Sequence, residues 1–464
     1  MFAPALLLSL FGWLLPGTAP SPADSTVRVG AIHIVGNTRT RQSIVQRELS
    51  VRENSLYSTQ KIDSLIEADR RKVVNTNLFI TVEIKKEAVS DSVIDLRVLL
   101  KERWYFIVTP VFQLADRNFN EWWYERGRDI RRTTYGIYAA HQNLTGRNDR
   151  LRMLAEFGFL PKFDLFYTTP YIDRAQKTGM TIGLSYAPNK TVAYRTKADK
   201  LVYLESERLN RTALAAFVAF TYRPQFYGLH NAELRYVSAA VSDTLAGLNP
   251  NFFLDGRTKQ RFFQLSYGYT YDRRDNVQFP LRGWSYSFLA RKYGILPTDD
   301  VNQLDLTFSY ARFHPLGGRW FSDFSSEIKT SFPRRQPYAQ TRGLGFGGDL
   351  VRGYELYAID GQAYWYARTN LNYKLWERLI ALKFVPLRQF NVLPLAIYPS
   401  VYVDFGYAKN NFKNLNNSNL ANSFLMGGGV GMNFVTWYNI VARVNYSINL
   451  LGEKRFYFTV AREY

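Results

Sequence analysis

Residues 263–272 read FQLSYGYTYD. Phe263, Leu265, Tyr267, Tyr269 and Tyr271 share one parity; Gln264, Ser266, Gly268, Thr270 and Asp272 share the other. A period of two belongs to a strand with one apolar and one polar face. The alternation returns at Leu304, Leu306, Phe308 and Tyr310 against Asp305, Thr307, Ser309 and Ala311. It returns again at Val444, Tyr446 and Ile448 against Arg443, Asn445 and Ser447. From about Trp104 to Tyr464 the chain is built of such segments, divided by turn residues. This pattern predicts an all-β transmembrane barrel, with the apolar parity toward lipid and the polar parity toward the lumen.

Composition agrees with that reading. Aromatic residues make up 16% of the 464 residues, enough to supply aromatic girdles at both lipid interfaces. Mean hydropathy is −0.25, as expected where half of each strand is polar. The chain has no internal apolar run long enough for a spanning helix. The net charge of +20 raises nucleic-acid binding as a possibility. The basic residues are spread through strands and loops and form no block, so a basic lumen and loops near lipid phosphates are expected instead, with no nucleic acid. The cysteine count is zero, which excludes disulfides, thiol catalysis and thiolate metal sites.

The organisation expected is a signal peptide over 1–23, a small α+β domain over 24–102 and the barrel over 103–464. Residues 5–15, ALLLSLFGWLL, form a short apolar run followed by Pro16, Gly17 and Pro20, with small residues at 21 and 23 for cleavage after Ala23. No Lys or Arg precedes the run, an exception to the signal pattern. In 27–101, Val29, Ile32 and Ile34 suggest a strand and Gly36-Asn37-Thr38 a turn. A short helix is expected around Arg41–Leu49, with Ile44, Val45 and Leu49 inward. A second helix near Thr59–Val74 carries Ile62, Leu65, Ile66, Asp69 and Val73 on one face. Ile80, Val82 and Ile84, then Ile94, Leu96, Val98 and Leu100, mark a hairpin turning at 89–92. The order is β-α-α-β-β. The remainder divides into about sixteen antiparallel strands, an even number as bacterial barrels require. Among them are 105–114, 200–220 (with 189–231 the least defined region), 363–375, 397–407 and 455–464. Long links are expected at 115–132, 243–260, 331–362 and 408–423.

VRVGAIHIVGNTRTRQSIVQREL (27–49) and IEADRRKVVNTNLFITVEI (66–84) resemble a POTRA domain. Six further stretches complete a pattern: NLTGRNDRL (143–151), YTTPYIDR (167–174), YTYDRRDNVQFPLRGW (269–284), GGDLVRGY (347–354), VYVDFGYA (401–408) and GGGVGMNF (427–434). Taken in order, they resemble the POTRA-barrel outer-membrane assembly and secretion superfamily, the BamA/TamA-like bacterial surface antigens, here with a single POTRA domain. The resemblance implies that Val351, Arg352, Gly353 and Tyr354 cap a loop folded into the lumen. It also implies that Arg352 meets the strand bearing Asp404 and Gly406. A guanidinium in a partly dry lumen needs a carboxylate partner, and Arg presents a rigid fork to one. The alternative is an ordinary Arg-Gly surface turn. The facing strand reads Asn370-Leu371-Asn372 where the family often has Asn-Leu-Glu, which implies a smaller charged network. Asp272-Arg273-Arg274-Asp275-Asn276, with Pro280 and Gly283-Trp284, reads as a structural turn and not as a catalytic carboxylate pair.

The resemblance further implies a weak seam between first and last strands. Pro110 removes a ladder donor in the first, or lies near its end. Phe456, Phe458, Val460 and Tyr464 share a face of the last, and Arg462 interrupts it. His33, His141, His230 and His314 show no metal spacing. There is no Gly-rich phosphate loop and no Gly-x-Ser-x-Gly elbow. No enzyme activity, metal or cofactor is expected. The implied function is insertion or translocation of other proteins at the outer membrane of a Gram-negative bacterium, with the POTRA domain in the periplasm. The implied partners are unfolded outer-membrane or secreted client proteins, outer-membrane lipids, and periplasmic chaperones or accessory subunits. Two rivals stand beside it: a two-partner-type secretion pore passing a client through the lumen, and a passive outer-membrane channel or surface antigen.

Overall fold

The computed structural model describes residues 26–173, 175–381, 392–412, 418–436 and 440–461. The expected signal peptide over 1–23, together with Arg462 and Tyr464, lies outside the described residues. The chain divides into two units, one running to Trp104 and including Thr145–Asn148, the other comprising Tyr105–Leu144 and the chain from Asp149 onward.

The first unit runs β1 (Thr26–Val35), α1 (Gln42–Glu48), β2 (Leu56–Ser58), α2 (Thr59–Asn75), β3 (Phe79–Ser90) and β4 (Val93–Glu102). Its sheet order is β2-β1-β4-β3, with β1 parallel to β4. The short strand β2 was not expected. It pairs only three residues with β1, too few to leave an alternating signature. Val29, Ile44, Val45, Leu49, Ile62, Ile66, Val73, Val82, Leu96 and Val98 form the core. Ile80 departs from its expected inward place: it is 60% exposed while Phe79 is 2% exposed. A register shift between Phe79 and Thr81 moves the parity by one residue. Gly36 has φ +94°, and a Cβ there would collide with the carbonyl of Leu100, which explains the Gly-Asn turn. Asp69 is buried on the inner face of α2. Its carboxylate accepts from Ser50 N at 2.7 Å, Val51 N at 3.0 Å and the Ser50 hydroxyl at 2.6 Å.

The second unit is a closed barrel. It begins with β5 (Phe106–Leu114), α3 (Phe119–Tyr124), β6 (Thr133–Gln142), β7 (Arg150–Gly158), β8 (Lys162–Thr169) and β9 (Thr178–Asn189). Then come β10 (Val192–Lys197), β11 (Lys200–Leu204), β12 (Arg211–Tyr222), β13 (Gly228–Val241), α4 (Asp243–Leu248) and β14 (Lys259–Asp272). Next are β15 (Gly283–Tyr293), β16 (Gln303–Gly317), β17 (Trp320–Phe332), β18 (Ala363–Tyr373) and β19 (Trp376–Ala381). The last are β20 (Val392–Lys409), β21 (Phe424–Val435), β22 (Val441–Asn449) and β23 (Lys454–Ala461). β18 and β19 run end to end along β20, so among the described residues the wall has sixteen antiparallel staves, as the sequence predicts.

The faces follow parity. Leu265, Tyr267, Phe308, Val444 and Ile448 are exposed on the outer wall, and Asp305, Asn445 and Ser447 are buried inside. The segment 200–220 is not one strand. Its first part is β11, which forms a hairpin with β10 outside the closed ring, and its second part is β12. Ala198 and Asp199 turn that hairpin with φ of 50° and 59°, the left-handed pair that a tight two-residue turn needs. The hairpin tip reaches two long loops. Ala358 N donates to Asp199 O, and the Asp199 carboxylate accepts from Asn419 N and Leu420 N.

Candidate functional site

The link 333–362 folds back into the lumen and ends its excursion at Val351-Arg352-Gly353-Tyr354. Arg352 donates from Nε and Nη2 to the two oxygens of Asp404, at 2.7 and 2.5 Å, and its backbone N–H adds a third bond at 3.1 Å. Asp404 lies on β20 and is 0% exposed. Arg352 also stacks on Tyr402, with the guanidinium carbon 3.8 Å from the ring centre. Asp404 and Tyr402 share a parity on one strand, so both face the same guanidinium. The ordinary surface-turn reading of this motif does not describe the structure.

Glycines let the loop apex approach. Gly353 has φ +95°. A Cβ on Gly406 would come within 2.5 Å of Val351 Cγ2, and one on Gly427 would collide with the Arg352 carbonyl. The Gly353 carbonyl accepts from Asn449 Nδ2 at 2.8 Å and Tyr457 Oη at 3.3 Å. Val351 and Tyr354 join Leu344, Ile359, Tyr364, Ala408, Leu420, Ala421 and Leu425 in a buried apolar cluster. The apex is therefore held by an ion pair, by backbone bonds and by apolar packing together.

The charged network is larger than Asn370-Leu371-Asn372 suggests. Arg352 Nη1 donates to Asn370 Oδ1 at 2.6 Å. Asn370 and Asn372 in turn donate to the two oxygens of Asp323, at 2.5 and 2.8 Å. The second carboxylate comes from β17, whose Asp323 lies opposite Asn370 in the ladder. The sequence signal was Asp323 on the polar parity of its strand. Only strand register says that it meets the loop.

The turn after β14 behaves as a turn. Asp275 Oδ1 accepts from the backbone N–H of Asn276, Leu281 and Arg282. Asp272 pairs with Arg274 at 2.7 Å.

At the seam, Pro110 is the fifth of the nine residues of β5, so it does not lie near a strand end. Pairing with β6 is unshifted from Phe106↔His141 to Leu114↔Thr133. Proline inside an unbulged strand is confined to an edge, which gives the side of β5 toward β23 the character of an edge. Consecutive residues of β5 are exposed: Phe106, Ile107 and Val108, the last at 53%. Two-sided exposure contrasts with the alternation of β14. On β23, Phe456, Phe458 and Val460 are exposed on one face. Phe458 registers with Val444 of β22, and its N–H and C=O turn the other way. They meet the side-chain amide of Asn120 in α3, Phe458 N to Oδ1 at 2.8 Å and Asn120 Nδ2 to Phe458 O at 3.1 Å. Tyr124 Oη donates to Phe456 O at 2.9 Å. Asn120 and Tyr124 escaped the sequence reading, because a polar-aromatic loop carries no period that marks its partner.

Comparisons with known proteins bear on both units. A family model described as the Omp85 superfamily domain matches residues 143–460. The POTRA model, described as surface antigen variable number repeat, matches residues 27–103. Over 76 residues the chain is 34% identical to the outer membrane protein assembly factor BamA of Neorickettsia risticii (strain Illinois). That stretch is 16% of this chain and 10% of the relative, so the match spans about a tenth of that protein's length. The crystal structure of BamA from Haemophilus ducreyi lacking POTRA domains 1–3 superposes with a TM-score of 0.67 at 17% identity, covering 93% of this chain and 84% of that one. At this identity the likeness is one of fold. CdiB from Escherichia coli gives a TM-score of 0.48 at 11% identity, covering 96% of this chain and 91% of that one.

Proposed function

The chain belongs to the Omp85 superfamily, and from that premise we propose that it inserts client proteins into the outer membrane of a Gram-negative bacterium, with its POTRA domain in the periplasm. The observation that carries this reading is one stretch of β23: although β23 neighbours β5 in the closed ring, the Phe458 N–H and C=O and the Phe456 carbonyl meet the side chains of Asn120 and Tyr124. Unpaired strand groups facing lipid are costly, so an edge that can be uncovered there binds an incoming strand readily. An extended client segment adds first to the POTRA sheet, where β3 is a twelve-residue edge strand. It then pairs at the barrel edge and leaves sideways. The clients are unfolded outer-membrane proteins. Lipids, periplasmic chaperones and accessory subunits complete the set of partners, and no enzymatic step or cofactor is involved.

Passage through the lumen, the secretion-pore alternative, requires release of the Arg352 apex from Asp404, Asn370 and the apolar cluster. The seam offers the less costly route, since its side-chain bonds are exchanged one for one against those of an arriving strand.

Depletion of the protein followed by quantitation of the outer-membrane proteome tests the proposal. A selective loss of β-barrel proteins is expected. Loss of one secreted substrate with the barrels intact favours the pore. An unchanged proteome, with ion conductance the sole property of the purified protein, favours a passive channel.

A further inference from the structure

Helix α3 stands where a strand would. The primary amide of Asn120 offers one donor and one acceptor, the same pair that a peptide group offers. It engages both backbone groups of Phe458, as one residue of an antiparallel neighbour does. Two residues earlier on the same side of β23, Tyr124 takes the Phe456 carbonyl. Phe119 packs edge-on against the Phe458 ring at 5.5 Å between centroids, and the Arg455 guanidinium lies 5.5 Å from the Tyr124 ring centre.

The other flank of the same segment is tied to the lumenal loop. Arg117 donates to the carbonyls of Tyr357 at 2.8 Å and Leu356 at 3.3 Å, and also to that of Gly345. Asn118 donates to the Glu355 carbonyl at 2.8 Å. The Asn118 side-chain oxygen meanwhile accepts from Glu121 N at 2.9 Å, capping α3. Glu121 holds Arg117 at 2.7 Å and Arg126 at 2.7 Å, which stiffens the segment. Glu355 is three residues beyond Arg352, so one six-residue helix joins the locked loop to the strand edge.

We infer that α3 is a latch: an internal stand-in for a strand that covers Phe456–Phe458 while the lumenal loop is locked, and that lifts away before an extended polypeptide pairs there. The occupant it excludes is recognised by backbone, an extended chain presenting N–H and C=O at every second residue. The identity of that occupant as a client rests on the function proposed above; the covering of the edge does not.

The test uses the full chain in detergent micelles, with amide hydrogen exchange read at Phe458. In Asn120→Ala the Phe458 amide should exchange faster by on the order of tenfold, while Tyr269 and Phe308, in complete ladders, stay as they were. A second arm exploits the cysteine-free background. Phe119→Cys with Phe458→Cys forms a disulfide that pins α3 to β23. The probe is a synthetic peptide, FIVTPVFQL (residues 106–114), carrying a photo-crosslinker. Reduced protein should capture it and oxidised protein should not. This arm serves if Asn120→Ala fails to fold, as judged by heat-modifiable gel mobility. Unchanged Phe458 exchange in a folded Asn120→Ala variant overturns the latch, and so does equal capture in the oxidised and reduced forms. Faster exchange and gated capture without any change in client assembly leave the latch standing and overturn the protein-insertion reading.

Discussion

The lumenal apex and the edge of β23 sit in one barrel and satisfy their polar groups by opposite means. Arg352 is met by a fully buried carboxylate, an asparagine and an aromatic face. Removing Asp404 strips Arg352 of its direct counter-ion and leaves only Asn370, with Asp323 one residue further away, to compensate. Phe458 is met by a neutral amide whose two hydrogen bonds any other strand can replace. A buried ion pair resists exchange because both members are stranded by its loss. A neutral backbone edge invites exchange because the incoming group is chemically the same as the outgoing one. The proposed function needs both: an apex held firmly from within and a β23 stretch whose cover can be exchanged.

The largest test of this contrast is Asp404→Ala. It should lower stability by about 3–5 kcal/mol, read as an earlier loss of heat-modifiable mobility in rising denaturant. Arg352→Ala combined with Asp404→Ala should then cost far less than the two single changes added together. Simple additivity would show that the two side chains do not act as a unit and would break the comparison.

Next is Gly427→Ala. Its Cβ meets the backbone carbonyl of Arg352, so the apex must withdraw, at about 1–3 kcal/mol. Limited proteolysis of the 333–362 link should become faster. Gly428→Ala is the control, since its Cβ would make one tight contact, 3.3 Å to the Tyr402 carbonyl, away from the loop, and should leave proteolysis of the link unchanged.

A third test moves the comparison to the POTRA domain. Burial alone would raise the Asp69 pKa, but bonds from the Ser50 hydroxyl, Val51 N, Lys72 and Ser50 N outweigh it and hold the group below its ordinary 3.8. The folded form therefore binds its proton less readily than the unfolded form. The stabilisation is complete above about pH 4 and is lost as pH falls through the lower, folded value. Asp69→Asn should cost about 1 kcal/mol at neutral pH and flatten the acid limb of the unfolding curve. An acid limb of unchanged steepness would remove Asp69 from the account.

The smallest effect expected is for Arg274→Ala. Its bond to Asp272 spans two residues at a turn and leaves the carboxylate 26% exposed, where Asp404 is 0% exposed, and a local pair screened by water is worth about 0–1 kcal/mol. A loss comparable to that of Asp404→Ala would mean that ion pairing as such, and not burial, governs the lock.

Parity in FQLSYGYTYD and its repeats determined the barrel and its two faces, because the two-residue period is a local property of an extended chain. Gly36-Asn37 and the periodic apolar positions of α2 likewise announced the N-terminal unit. The motifs GGDLVRGY and VYVDFGYA pointed to Arg352 and Asp404 through resemblance, since neither the span of 52 residues between them nor their types measures a distance. Tertiary structure alone decided that Asp323 joins the lock, that Gly427 admits the Arg352 carbonyl, and that 189–231 contains a hairpin outside the ring. It alone placed Asn120 on Phe458, 338 residues away. Those facts depend on register across neighbouring strands and on where long loops return. Period-two patterning determines which face a residue takes, but not its height on the wall or what it meets there.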